Sequence, residues 1–256
     1  MGVLGGPPPS LSRVSARKWL FVPGLIALTL TMASPAAAFP NPPWADAMWA
    51  HFPGTGGLDT TTSMNYVRDG FSGGYTSFSS NPSSAAAAMG SSYALNDAIW
   101  WMAGHAGPGY IQTYGSLSQQ WSQINTTSSI ASCASPNTCL SSYTFSQMHH
   151  IRLMGFMGCN SGDLIGGDSL PKRANQSLGV DSSIGWTVEL GFVAQSNHWA
   201  QKMASYAMSD KIVRNVSEAA AAATTYLWTT YGQYWGYDHY VLFGGSTYVQ
   251  PPAYGS

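Results

Sequence analysis

Charge is scarce in this 256-residue chain: Asp, Glu, Lys and Arg together make up 8% of it, ten bases against eleven acids. After residue 38 the count is seven bases against eleven acids, a net charge of −4 with His neutral. Binding to phosphates needs clustered cations, so a nucleic-acid partner is not expected. Cysteine is scarcer still, with three in all, and neither a His-x-x-x-His nor a Cys-x-x-Cys spacing occurs. A zinc site is therefore disfavoured, and no metal or cofactor is expected. Long apolar runs are missing after residue 38, which leaves nothing to span a bilayer once the leader is gone. No internal repeat stands out.

What is present begins with a leader. Arg13, Arg17 and Lys18 give a basic start, residues 19–32 an apolar stretch, and Ala36-Ala37-Ala38 a small-residue cleavage pattern. Residues 1–38 thus read as a secretory signal with Phe39 as the mature start, and the protein is expected outside the cell. A retained anchor is the alternative. It is disfavoured because Pro23 and Gly24 interrupt a stretch shorter than the roughly 18 residues a spanning helix needs. The remainder suits one domain. Residues 39–92, rich in Gly, Pro and Ser, are expected to form an irregular N-terminal part, with a short helix over 44–51 and a first strand over 64–68. Asn125, Asn175 and Asn215 stand in Asn-x-Ser/Thr sequons, which would be glycosylation candidates in a eukaryotic host.

Three cysteines leave one over. Cys133 and Cys139 bracket Ala-Ser-Pro-Asn-Thr, a turn-forming stretch, and an oxidising compartment would pair them across a short loop. Cys159 is then alone, and a free thiol exposed to oxidation calls for a reason. Burial as a small hydrophobe is one such reason. Its setting suggests another. Ile151 to Met157 is a mostly apolar run of strand length, followed at once by Gly158-Cys159-Asn160-Ser161-Gly162-Asp163. Open α/β sheets place their sites at such strand ends.

The same grammar occurs upstream. Ala98 to Ala103 is a short apolar run that ends in Gly104-His105-Ala106-Gly107-Pro108-Gly109. Two parallel strands ending at one edge would bring His105 to Cys159 across 54 positions. An imidazole beside a thiol supplies the base that makes a thiolate and the acid that protonates a leaving amine. A serine nucleophile elbow is disfavoured, because Gly158 to Gly162 puts Asn160 where Gly-x-Ser-x-Gly needs serine.

Further along, residues 108–148 look like an insertion carrying the disulfide. A helix is expected over 169–178, stopped by Gly179, then a strand over 180–187 and an amphipathic helix over 194–208. Ser217 is expected to cap an alanine-rich helix through about Tyr231, and residues 240–243 give a last strand. Strands alternating with helices imply a mostly parallel sheet covered on both faces.

Ile99 to His105, Leu153 to Gly162, Gly179-Val180 with Ile184 to Thr187, and Val241 to Gly245 through Pro251-Pro252 together resemble the caspase-like cysteine peptidases, especially the gingipain-like branches. The likeness covers roughly residues 93–252, with histidine before cysteine as in that family. It implies a three-layer α/β/α sandwich over residues 93–256 and a secreted endopeptidase acting on peptide or protein substrates. By this resemblance Cys159 would attack a peptide carbonyl and His105 would serve as acid and base. The oxyanion would be held by the N–H of Cys159 and one beside the histidine, at Ala106 or Gly107. The family usually has Gly directly after the histidine, where this chain has Ala106. Substrate contacts would come from Trp186, Thr187 and Glu189, with Asp163 or Glu189 favouring a basic residue before the cleaved bond. From another class, a catalytically inactive fold of the same kind could act as an extracellular binding module through its aromatic residues, which are 13% of the chain.

Overall fold

The computed structural model describes residues 43–52, 57–115, 120–191, 194–232 and 238–251. The leader and the expected mature start lie outside the described residues. In chain order the first elements are β1 (Trp44–Met48), α1 (Thr61–Phe71), β2 (Thr76–Ser80), α2 (Ala85–Ala88) and β3 (Ile99–Ala103). A small sheet follows, of β4 (Ala106–Gly107), β5 (Tyr110–Gly115), β6 (Gln120–Asn125) and β7 (Thr138–Cys139). Then come α3 (Phe145–Met148), β8 (Leu153–Met157), α4 (Leu170–Leu178), β9 (Ser182–Trp186), α5 (Ala194–Ala207), α6 (Val216–Tyr231) and β10 (Tyr240–Phe243).

The main sheet has six strands in the order β10-β9-β8-β3-β1-β2, all parallel except β10, which runs antiparallel to β9. Its central strands β3, β8 and β9 are buried at every position. This is why their sequences read as unbroken apolar or small-residue runs and not as alternating patterns. The protein is thus mixed α/β, with a mostly parallel sheet and helices on both faces.

One face packs Ile99, Trp101, Leu153, Ile184 and Trp186 against α1, α5 and α6. Trp101, Trp186 and Trp199 form an edge-to-face series with ring centroids 6.3 and 5.4 Å apart. Gly155 makes room for it, since a Cβ there would lie 2.2 Å from the Trp101 ring. The other face packs Trp100, Met102, Met154 and Phe156 against α2, α4 and the small sheet. There the Trp100 Nε1–H donates to the Ala88 carbonyl at 2.9 Å, which satisfies a buried indole.

The N-terminal part departs from the sequence reading. Residues 44–51 do not form a helix: Trp44–Met48 is strand β1, inserted between β3 and β2, with Ala45 opposite Ile99 and Trp44 opposite Thr76. Residues 64–68 are not a strand but the middle of helix α1. In both cases packing overrides local preference. Helix α1 carries Gly70, a poor helix residue, because the helix crosses α5 so closely that a Cβ at 70 would lie 2.5 Å from the Ala204 Cβ.

Other expectations fare better. Cys133 and Cys139 are bridged, and the segment around them forms the small sheet. Helix α4 is capped by Ser169, whose hydroxyl accepts from Lys172 N–H, and ends at Gly179 with φ 75°. The cap of α6 is Asn215 in a capping box with Glu218, two residues before the expected Ser217. Of the sequons, Asn125 is fully buried and the Asn215 side chain is engaged as that cap. Among the described residues no helix is long and apolar enough to cross a membrane.

Candidate active site

Strands β3 and β8 are adjacent and parallel, with Ala103 opposite Met157. His105 and Cys159 each stand two residues past these partners, so the register itself delivers them to the same edge of the sheet. The ladder runs one step beyond the strands, where Gly104 N–H donates to the Met157 carbonyl at 3.2 Å.

The two loops then touch. A Cβ at Gly158 would lie 2.5 Å from the Ala106 Cβ and 2.7 Å from the Gly104 carbonyl oxygen. Glycine is what allows the thiol-bearing turn to sit against the histidine loop. The next turn is tight. Asn160 adopts a left-handed φ of 53°, a conformation that asparagine tolerates better than most residues. Its N–H donates to the Val188 carbonyl at 3.0 Å.

Cys159 is a free thiol and half-buried. The Leu190 N–H donates to its Sγ at 3.3 Å, and the Leu190 carbonyl lies 3.7 Å from the same sulfur. His105 is exposed, with its ring 4.8 Å from that of Phe52, which follows β1. The carboxyl ends of β1, β3, β8 and β9 therefore contribute Phe52, His105, Cys159 and Leu190 along one edge. Such an edge is where ligands bind in open α/β sheets.

Ser161, the other hydroxyl of this turn, is spoken for. It is fully buried, donates to the Phe156 carbonyl at 2.6 Å and accepts from Trp186 N–H at 3.1 Å, so it braces the turn against β9.

The remaining expected site residues are distributed unevenly. Ala106 and Gly107 form β4, pairing with Ile111 and Tyr110, and the His105 carbonyl accepts from Gln112 N–H at 2.7 Å. Asp163 is half-buried four residues after the cysteine, with its N–H on the Asn160 carbonyl at 3.0 Å. Thr187 is half-buried and bonds the His239 carbonyl through both its N–H and its hydroxyl, while Glu189 is exposed. Trp186 points elsewhere: its indole is fully buried between Trp101 and Trp199. Phe52 and Leu190 escaped the sequence reading because neither stands in a motif; only the order of strands in the sheet brings them to this edge.

No protein-family model matches this sequence, and no curated protein matches it significantly.

Proposed function

We propose that this chain is an exported, caspase-like cysteine peptidase in which Cys159 is the nucleophile and His105 the acid and base. The observation that carries the reading is the shared register of β3 and β8, which ends two glycine-framed loops side by side, one with an unbridged thiol and the other with an imidazole. In the first half-reaction the Cys159 sulfur adds to a peptide carbonyl, and its proton passes to His105. The C–N bond breaks as His105 returns that proton to the departing amine, leaving a thioester. Water, deprotonated by His105, then adds to the thioester, the C–S bond breaks, and the carboxylic acid and the thiol are released. The N–H of Cys159 and that of Ala106 or Gly107 would hold the oxyanion. Thr187, Glu189 and Asp163 would meet the substrate. The buried disulfide suits an oxidising compartment and supports the exported reading.

A second reading, a binding module without catalysis, has its own support: the sulfur is engaged by both the N–H and the carbonyl of Leu190, and the His105 ring rests on Phe52. A mixed library of quenched fluorescent peptides separates the two. The wild type is expected to cleave a subset of the library and Cys159→Ala to lose at least about a thousandfold of that rate. No cleavage by either protein would favour the binding module, and equal cleavage by the variant would remove Cys159 as the nucleophile.

A further inference from the structure

Beside β1 and β2, on the α2 and α4 face of the main sheet and reaching the amino end of β3, lies a cavity of ≈ 400 Å³. Its floor holds Asp46, in the middle of β1, and Asp97, two residues before β3. These residues are 7% and 1% exposed. No N–H or O–H among the described residues reaches Oδ2 of Asp97, and Ser80 Oγ, which also lines the cavity, is likewise buried without a partner. The lining is aromatic in part: Trp44 and Phe78 stack with centroids 5.6 Å apart, and Tyr93 also lines the space. Among the described residues no Lys, Arg or His lines the space.

We propose that this cavity is a binding site for a primary alkylammonium group, with Asp46 and Asp97 taking the charge and Trp44, Phe78 and Tyr93 enclosing the alkyl chain. A buried carboxylate without a cation is costly, and a ligand ammonium supplies both the missing charge and the missing donors. Like charges so close share a proton, which leaves the pair with one negative charge near neutral pH, matched to a monocation. Aromatic faces attract the same group. A metal ion fits less well, because no third His, Cys, Asp or Glu among the described residues joins the pair. Neither Cys159 nor His105 lines the cavity, so the site stands whether or not their edge is catalytic.

Calorimetric titration of the purified protein with n-pentylamine, a monocation at pH 8, tests this. Saturable binding is expected, weakened at least about tenfold in a folded Asp46→Asn/Asp97→Asn double variant. Phe78→Ala, at a 45% exposed position, is expected to weaken binding about threefold. Tighter binding of Nα-acetyl-lysinamide than of n-pentylamine would assign the site to a lysine residue of a peptide, and the reverse order to a free amine. Equal binding of the neutral analogue 1-pentanol, unchanged affinity in a folded Phe78→Ala, or no saturation up to about 10 mM n-pentylamine would overturn the proposal.

Discussion

At the carboxyl end of the main sheet Cys159 is half-buried and His105 and Glu189 meet solvent, whereas at the amino end Asp46 and Asp97 are closed off at 7% and 1% exposure. The first end is built by loops held by backbone hydrogen bonds, as Leu190 and Val188 hold the cysteine turn. The second holds unfavourable charge within β1 and in the segment that leads into β3. Burial, and then the neighbouring Asp46 charge, push Asp97 up to about 10, and burial raises Asp46 as well. Chemistry at the carboxyl end should therefore be separable from stability, while charge at the amino end should be stability's main pH lever.

That contrast breaks most severely at Gly158, where the carboxyl end does depend on packing. Gly158→Ala forces its Cβ into Ala106 and the Gly104 carbonyl. A loss of about 3 kcal/mol is expected in urea unfolding, together with loss of whatever activity the edge has. Retained stability would mean that the two loops do not meet as described.

The amino end gives the next effect. Asp97 keeps its proton in the folded protein to about 10 but loses it near 3.8 when unfolded, so the folded state binds more protons across that window. Stability is greatest below the unfolded value and falls as pH rises towards the folded one. Asp97→Asn should flatten this slope and raise stability at pH 8 by on the order of 2–3 kcal/mol in thermal or denaturant melts. An unchanged slope would show that the acid pair is hydrated. Smallest is the bridge in the small sheet: Cys133→Ser with Cys139→Ser should cost about 2 kcal/mol and leave any peptide cleavage untouched.

The carboxyl end was legible in the sequence and the amino end was not, for physical reasons. Strands β3 and β8 are buried on both faces, so their apolar runs and the glycine turns that follow stand out from their surroundings. Helices α4 and α6 announce themselves through caps. Strand β1, Trp-Ala-Asp-Ala-Met, has no such signature, because its alanines and methionine suit a helix and only its two parallel neighbours make it a strand. The acid pair joins residues 51 positions apart through that unseen strand, so nothing local pointed to it. An acid within an inner strand is the one signal that could have. The wrong expectation for Trp186 has a similar origin: alternate side chains of β9 face opposite layers, and the indole falls on the layer beneath α5.

The claim that matters most is that Cys159 and His105 work as a pair. The rate of Cys159 carbamidomethylation by iodoacetamide at pH 6.5, compared between the wild type and His105→Ala, tests it without any knowledge of a substrate. A rate at least about tenfold lower in the variant is the predicted result. Equal rates in two equally folded proteins would contradict it.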